Sequence, residues 1–251
     1  MSKESQKYRD DMIGILNAIS GEMDSICQVA RMMADAVEKD ELIHAVGTGG
    51  HSNLMVEETL WRAGGLAAMD PMLDCGTNLM MGAKRSNIVE RTPGYGTRIF
   101  DMYGCRKGEL IIICNAYGIN AMTIDTALEA HRRKMKVAAI TSTAFCENVP
   151  AGHPARHPSG KNLYEIADVW INSHVPLGDA NAEIEGLTQK VAGTSVLCNS
   201  FVWNLLLIET CRELVHRGVQ PPVWCSANTV GGDEANYALE QKYFPRVKHL
   251  R

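Results

Sequence analysis

The feature that most constrains the fold is a set of short apolar runs that alternate with helical segments. Five such runs predict strands at residues 42–46, 66–70, 109–114, 136–141 and 168–172. Most of them are continuously apolar, as is typical of strands buried on both faces of a sheet. Helix-like stretches separate them, one running from about Met122 to Lys134. The pattern predicts an α/β fold with a doubly wound parallel sheet that helices cover on both faces.

The N-terminal segment precedes the first strand and carries apolar residues at helical spacing. This stripe runs from Met12 to Val37 and predicts one long helix, or a hairpin broken near Gly21. Such a segment must cover its stripe with the sheet or with a second subunit. We therefore divide the chain into a helical segment, 1–40, and a domain, 41–251. We expect the stripe and a predicted helix at 191–217 to carry the interface of a homodimer or a higher oligomer.

Charge and cysteine usage limit the partners and the compartment. The net charge of −4 offers no basic face for nucleic acid or for an anionic membrane. The eight cysteines are scattered without a CxxC pair, as expected of reduced thiols. The N-terminal stretch MSKESQKYRDDM is polar and lacks the apolar core of a signal peptide. These observations predict a cytoplasmic protein without nucleic-acid or membrane partners.

The stretch GTGGHS, Gly47 to Ser52, joins the first predicted strand to a helix that we expect to run through Arg62. Glycines let the backbone approach a ligand closely, and free N–H groups at a helix start favour an anion. In a doubly wound sheet this turn often lines the ligand crevice. The predicted anion contacts here are Gly49, Gly50, His51 and Ser52.

A dinucleotide is a weaker alternative for the same turn. The fingerprint GxGxxG would place its third glycine at position 52, where the chain has Ser52. Asp70 does end the second predicted strand, where a ribose-binding acid belongs. The match is incomplete, and no cofactor is predicted.

Two long loops, 74–108 and 146–161, are of a length that is usually functional or mobile. The second contains RHPSGK, which is either a basic surface loop or a lid over an anionic ligand. In the lid interpretation, the polar side chains that cover the ligand are Arg156, His157, Ser159 and Lys161. The first loop contains VERTPGYG, whose Glu90 and Arg91 either enter the crevice or pair with each other. The tail from Val219 onward is predicted to be rich in turns.

Several segments together resemble the sugar isomerase (SIS) domain, and in particular a bacterial group of single-domain phosphosugar isomerase type proteins. The matching segments, in chain order, are GTGGHS, EETLWRAGGL, VERTPGYG, ALEA with VAAITS, RHPSGKNLYEIADV, GDANAEI, GTS and QPPVWCSANTVGGDEAN. They span nearly the whole chain from residue 42 onward. The resemblance implies a five-stranded parallel sheet, an oligomer, and a sugar-phosphate site at the strand ends formed partly across subunits.

One segment departs from that family pattern. The resemblance implies a serine-rich phosphate cradle, SxSGxS/T, after the third strand, but this chain has NAYGIN there. Each lost hydroxyl donor to a charged acceptor would cost ~1.5–3 kcal/mol of binding. The predicted contacts in this turn are Asn115, Gly118 and Asn120. A sulfonate, a carboxylate or an unphosphorylated sugar remains open beside a phosphate.

Aldose–ketose isomerisation needs a base near the reacting carbon and a donor that polarises the carbonyl. The resemblance favours Glu58, on the helix after GTGGHS, as the base, with His157 as its partner. The alternative for Glu58 is an exposed i,i+4 ion pair with Arg62. His44 is expected to be a satisfied core histidine, and Asp179 to form a turn. No spacing of His51, Glu58 and His157 indicates a metal site, and none is predicted.

The sequence thus predicts an isomerase that acts on a small phosphorylated or otherwise anionic sugar by acid/base proton transfer. Two alternatives remain. The first is a non-catalytic sugar-phosphate sensor, a use to which SIS domains are also put. The second, more distant, is a nicotinamide-dependent enzyme.

Overall fold

The computed structural model describes residues 1–250, and the chain begins with two helices. Helix α1 spans Lys3–Ser20 and helix α2 spans Met23–Glu38, so the apolar stripe is broken at Gly21, as one of the two predicted forms requires. Ile19, Ile26 and Met33 are fully buried in the main core of the same chain. Most of the stripe is therefore covered by the sheet and its helices and leaves little surface for a second subunit.

The centre of the fold is the predicted five-stranded sheet, in which all pairs are parallel. The strands are β1 Ile43–Gly47, β2 Met69–Pro71, β3 Leu110–Cys114, β4 Lys136–Thr141 and β5 Val169–Asn172. Their order is β2-β1-β3-β4-β5, so the direction of winding reverses between β1 and β3. The predicted α/β class and the doubly wound parallel sheet are confirmed.

Alternate residues of the strands point to two apolar layers. Ala45 and Ile112 face a layer that contains α2, α3 (Ser52–Glu57) and α9 (Ser195–His216). Ile111 and Ile113 face the opposite layer, which contains α6 (Ala121–Arg132). Burial on both faces explains why these strands are continuously apolar.

Helix α3 is shorter than expected and ends at Glu57 rather than at Arg62. The Thr59 hydroxyl donates to the carbonyl of Val56 at 2.7 Å. Trp61 then adopts a left-handed φ of 52°, which a helix cannot continue through. The helical spacing of the apolar residues could not reveal the side-chain bond of Thr59 or the left-handed conformation of Trp61.

The second strand and the C-terminal tail also differ from expectation, for a shared reason. β2 begins at Met69 because Leu66 forms an antiparallel bridge with Val223 instead of joining the sheet. The tail, predicted to be turn-rich, contains α10 (Gly232–Tyr243). Its Tyr243 packs with Trp224 against Leu42 and the residues just before β2.

The first long loop contains helices that its glycines and prolines conceal. They are α4 (Ala83–Glu90) and α5 (Tyr95–Arg98), with 3-10 turns at Leu79–Met81 and Ile99–Met102. The second long loop follows α7 (Thr143–Asn148) and leads into α8 (Leu163–Ile166).

The helix predicted at 191–217 begins later, at Ser195, because residues 191–193 are extended. An antiparallel hairpin, β6 Ala180–Ala182 with β7 Val191–Gly193, precedes the helix. The Asp179 carboxylate accepts hydrogen bonds from the N–H groups of Thr194 and Ser195 at 2.8 and 2.7 Å and fixes the start of α9. Within residues 1–250, no helix is both long and apolar enough to cross a membrane.

Candidate active site

A cavity of about 340 Å³ opens at the carboxyl edge of the sheet, where the strand order reverses. The turns that follow β1 and β3 meet there, since Gly47 and Cys114 are partners in the sheet register. This is the position at which doubly wound sheets bind their ligands. The wall residues are Gly49, Gly50, His51, Ser52, Leu79, Ala83, Ser86, Asn87, Glu90, Arg91, Asn115, Ala116, Tyr117, Asp179 and Ser195.

Gly49 lets two polar side chains, those of Glu90 and Asn115, lie close to the turn. A Cβ at this position would lie 2.9 Å from Oε2 of Glu90 and 3.2 Å from Nδ2 of Asn115. Any larger residue would therefore push the carboxylate and the amide away. Gly50 is constrained in the same way by Leu79, 2.5 Å from its hypothetical Cβ. The glycines of GTGGHS thus make room for protein groups around a cavity.

Glu90 is the carboxylate of this cavity that is not already bound by several protein donors. It ends α4, and burial raises its pKa although nearby Arg91 opposes the shift. Its one hydrogen bond within the described chain is a long one, 3.4 Å, from Nδ2 of Asn87. Glu90 and Arg91 both enter the crevice, and they form no ion pair with each other among residues 1–250. A raised pKa in a cleft is typical of a general acid or base.

The VERTPGYG segment holds Glu90 in place. The Gly94 N–H donates to Asp125 at 2.6 Å, and the Tyr95 hydroxyl donates to Asp74 at 3.0 Å. A Cβ at Gly96 would lie 2.5 Å from the carbonyl oxygen of Met122, so this glycine permits close packing on α6. These contacts fix the C-terminal end of α4 and hence the Glu90 side chain.

Asn115 follows β3 and folds its own side chain over the turn. Its Oδ1 accepts the N–H groups of Tyr117 at 3.0 Å and of Gly118 at 2.9 Å. Because both partners are donors, the amide orientation is fixed and Nδ2 faces the Gly49 turn. That Nδ2 donates to no group among residues 1–250, although Asn115 is only 3% exposed.

Of the other residues predicted in this turn, Gly118 and Asn120 lie outside the cavity wall. Gly118 has a φ of 63°, and a Cβ there would meet the Thr141 hydroxyl at 2.5 Å. Asn120 precedes α6 and donates from Nδ2 to the carbonyl of Ala155 at 3.0 Å. Both positions shape the turn.

Ser52 and His51 stand at the start of α3, on the cavity wall. The Ser52 hydroxyl is unpaired within the described part of the chain and lies 3.9 Å from the Cβ position of Gly49. His51 is exposed, so its imidazole can reach a ligand at the mouth. Tyr117 borders the same cavity, with its ring 4.1 Å from that of Phe145.

The RHPSGK loop is not part of this cavity. Arg156 donates to the carbonyls of Val149 and Cys146 and to Oδ1 of Asn162. His157 lies 3.2 Å from Asp125 through Nε2, and its Nδ1 accepts the N–H of Ser159 at 3.0 Å. The side chains are thus occupied within the loop and with α6.

The other two predicted residues of this loop, Ser159 and Lys161, also lie outside the cavity. The Ser159 hydroxyl pairs with His157 at 2.7 Å, and Lys161 is exposed to solvent. Neither lies on the wall described above.

Glu58 points to a different part of the surface from Ser52. Its carboxylate pairs with Nε of Arg62 at 2.6 Å, the i,i+4 alternative considered from the sequence. Both residues line a second cavity, of about 430 Å³, whose wall includes Trp203 and Val223. Glu58 keeps a helical backbone conformation, and its N–H donates to the carbonyl of Leu54. It is separated from the crevice because six residues of helix place it about 240° around the axis from Ser52.

At the opposite, amino edge of the sheet, His44 is buried between two carboxylates. Nδ1 lies 3.0 Å from Asp70 and Nε2 lies 3.0 Å from Glu109. Although burial opposes the shift, these carboxylates raise the pKa of His44 well above its ordinary value. Asp70 is therefore committed to His44, which removes the ribose-binding acid that a dinucleotide would need.

Asp179 forms a turn, as expected. Beyond the two N–H groups at the start of α9, its carboxylate accepts the Ser195 hydroxyl at 2.9 Å. Among residues 1–250, no group of three or more His, Cys, Asp or Glu side chains is placed to hold a metal ion.

Glu90 was named from the sequence as a residue that could enter the crevice, but Glu58 was chosen as the base. The available signal was an acid and a base together, Glu90-Arg91, at the end of a short helical run inside a glycine-rich loop. What the sequence could not supply is the distance from Gly49 to Glu90, which are 41 positions apart in the chain, since it depends on how the loop returns to the sheet.

Comparison with known proteins agrees with this architecture. The family model of the SIS domain matches residues 7–142, which include most of α1 and all of α2. A UPF0309 protein of Thermoanaerobacter pseudethanolicus is 35% identical over 97% of this chain and 99% of its own length. The chain belongs to the SIS-domain family, and within it to the group of UPF0309 proteins.

One solved structure shows the same fold at low sequence identity, and a second is similar to a lesser degree. The sugar isomerase domain of an RpiR transcription factor from Sphaerobacter thermophilus is 15% identical, with a TM-score of 0.50 over 96% of this chain and 98% of that one. The phosphoheptose isomerase GmhA from Neisseria gonorrhoeae is 16% identical, with a TM-score of 0.49 over 84% of this chain and 97% of that one.

Proposed function

We propose that this chain is a sugar isomerase that moves a proton between neighbouring carbons of a small sugar bound in the cavity between β1 and β3. The observation that carries the proposal is the Glu90 carboxylate. It is half-buried, has a raised pKa, and stands beside an unpaired amide donor at the switch point of the sheet. A base poised in this way meets the first requirement of aldose–ketose isomerisation.

In this proposal the base is Glu90 rather than Glu58, because Glu90 is the carboxylate on the cavity wall. Glu90 removes the proton from C2 of the aldose. The C2–H electron pair becomes the C1–C2 double bond of an enediolate, and the carbonyl π pair moves to O1. The O2 proton then passes to O1, the O2–H electron pair becomes the C2–O2 double bond, and the C1–C2 π pair takes the proton back from Glu90 at C1, which gives the ketose.

The developing charge on O1 needs hydrogen-bond donors that are already in place. The Ser52 hydroxyl, which has no protein partner within the described chain, can donate to O1, and Asn115 Nδ2 can donate to the neighbouring O2 hydroxyl. His51 takes the role that the sequence suggested for His157, as a group that can pass a proton between O1 and O2. Each of these groups belongs to an element end at one edge of the sheet, so the arrangement is rigid except at the His51 side chain.

The predicted self-association remains a proposal, and α9 is the element that carries it. Leu197, Ile208 and Val215 of this helix are 52, 54 and 64% exposed. An apolar side of this kind on a folded chain is typical of an interface. Sedimentation at micromolar concentration should give a dimer or a larger species, and a monomer would contradict this part of the proposal.

The isomerase proposal is tested by hydrogen exchange into carbon. The parent protein is incubated in deuterium oxide with aldopentoses and aldohexoses, with and without a terminal phosphate, and loss of the C1 and C2 proton signals is followed by NMR. We expect at least one sugar to exchange with the parent and with Glu58→Gln, but far more slowly with Glu90→Gln. Binding without exchange would favour the sensor alternative. Equal exchange by the parent and Glu90→Gln would contradict the role of Glu90.

A further inference from the structure

We infer that the Asn115 end of the cavity receives a neutral, hydroxyl-bearing part of the ligand and excludes a phosphate dianion. The inference rests on the proposed function, because it assumes that a sugar occupies this cavity. It specifies the substrate class more narrowly: the sugar is either unphosphorylated or keeps its phosphate away from the turn after β3.

The turn after β3 is already occupied by a protein acceptor. A phosphate at such a place is bound by backbone N–H groups near the start of the following helix. Here the N–H groups of Tyr117 and Gly118 both donate to Oδ1 of Asn115. A phosphate could take them only by displacing an amide oxygen that is buried, which would then lack a donor.

The charge beside the turn is also of the wrong sign for phosphate. A single point, the Cβ position of Gly49, is 2.9 Å from the Glu90 carboxylate and 3.2 Å from the Asn115 amide. A dianion bound next to Asn115 would therefore stand close to a half-buried carboxylate, where water screens the repulsion only in part. The Asp179 carboxylate, on the same wall, adds a second negative charge.

A hydroxyl group matches the same two partners. It can accept a hydrogen bond from Asn115 Nδ2 and donate one to the Glu90 carboxylate, whereas a phosphate oxygen can only accept. The cation of the wall, Arg91, is solvent-exposed rather than buried beside this turn. The donor and acceptor pattern thus selects a polyol segment at the inner end.

The inference is tested with inorganic phosphate, so that no substrate needs to be known. Phosphate is titrated into the 15N-labelled full chain while the Tyr117 and Gly118 amide signals are followed. In the parent we expect no saturable shift in the millimolar range. Asn115→Ser frees both N–H groups and supplies a hydroxyl, and should bind phosphate at least about tenfold more tightly, as expected of one charge-assisted hydrogen bond or more.

Two further variants make the outcome decisive. Glu90→Gln removes the neighbouring charge and should also raise phosphate affinity, by a smaller factor. Asn148→Ser, whose side chain bonds to its own helix outside the cavity, serves as the matched control and should behave as the parent does. Tight phosphate binding by the parent at Gly118, unchanged in Asn115→Ser, would overturn the inference.

The same series separates this inference from the proposed function. If no sugar exchanges deuterium, the isomerase proposal fails, while the phosphate titration still decides whether Asn115 blocks the turn. If a sugar exchanges, its phosphorylated and unphosphorylated forms should leave the Tyr117 and Gly118 amide signals at the same positions, because neither form places a phosphate at this turn. Shifts of these two amides that appear only with the phosphorylated form would contradict the inference and leave the isomerase proposal standing.

Discussion

The cavity between β1 and β3 and the RHPSGK loop are two polar regions of similar composition with opposite bonding. In the loop, Arg156 and His157 donate to or accept from groups of the protein itself. In the cavity, Asn115 Nδ2 has no protein partner within the described chain, and Glu90 has only one long hydrogen bond. Residue type alone does not distinguish the two regions.

The difference teaches that a candidate ligand site is recognised by polar groups without protein partners, and not by how many polar residues a region contains. Polar groups on a cavity wall that have no protein partner are free to bind water or a ligand. On this criterion the loop is a brace that holds its own shape and contacts α6. The cavity is the region that retains capacity to bind. The following predictions test that division.

The largest effect is expected from Glu90→Gln, which keeps the shape of the side chain and removes its basicity. Turnover should fall by a factor on the order of 10²–10⁴, the usual contribution of a positioned base. In the parent, the rate should fall as pH is lowered through the raised pKa of Glu90. A steady-state pH profile measures both. A Glu90→Gln enzyme as fast as the parent would show that Glu90 is not the base and that the reaction does not depend on this carboxylate.

Glu90 should also affect stability, with a sign that follows from its pKa. Because folding raises this pKa, its protonated form favours the folded state at low pH, and that contribution is lost as pH rises through the folded value. Glu90→Gln should therefore unfold no more easily than the parent at neutral pH. Urea denaturation at acidic and neutral pH checks the sign.

The next effect concerns the loop and should appear in stability instead of rate. Arg156→Ala removes the donor that joins three acceptors, including Oδ1 of Asn162. We expect the free energy of unfolding to fall by about 2–3 kcal/mol, since charged donors to several half-buried acceptors are lost. Lys161→Ala, at an exposed position in the same loop, is the control and should change it by less than about 0.5 kcal/mol. Loss of sugar binding in Arg156→Ala without loss of stability would contradict the assignment.

A smaller effect is expected at the cavity wall from Ser52→Ala. Its hydroxyl is unpaired within the described chain, so a bound sugar should be its partner. Removing one neutral hydrogen bond should weaken binding by about 1 kcal/mol, or roughly fivefold. Calorimetry compares this variant with Ser159→Ala, whose hydroxyl pairs with His157. Equal affinities in both variants would mean that Ser52 does not contact the ligand.

The smallest effect is expected from Glu58→Gln. This change breaks a surface ion pair with Arg62 and should cost only about 0.3–0.5 kcal/mol of stability. The exchange rate should equal that of the parent, because Glu58 lies on the wall of the other cavity. A hundredfold loss of rate would return the role of base to Glu58.

Much of the fold could be predicted because it depends on local pattern. Continuous apolar runs identified the strands, and the GTGGHS turn identified the correct edge of the sheet. The limits were long-range contacts. The bridge between Leu66 and Val223 shortens β2. The tail helix α10 is held by packing of its Tyr243 with Trp224.

The site was harder to predict than the fold, for a physical reason. Glu58 follows the GTGGHS turn closely in sequence, but it lies on a different side of the helix from Ser52 and lines the other cavity. Glu90 is distant in sequence, and a set of contacts around Gly94 and Tyr95 brings it to Gly49. The sequence shows which side chains are available, whereas hydrogen bonds decide which remain free.

The central claim is that the ligand binds among the free groups of the cavity and not at the loop. Amide shifts on titration with a neutral sugar test it directly. The probe is the sugar of the panel that exchanges deuterium fastest, or D-fructose if none does. We predict saturable shifts at the amides of Gly49, Gly50 and Glu90, with residues 156–161 unchanged. Shifts confined to residues 156–161, with Gly49 unaffected, would contradict the account.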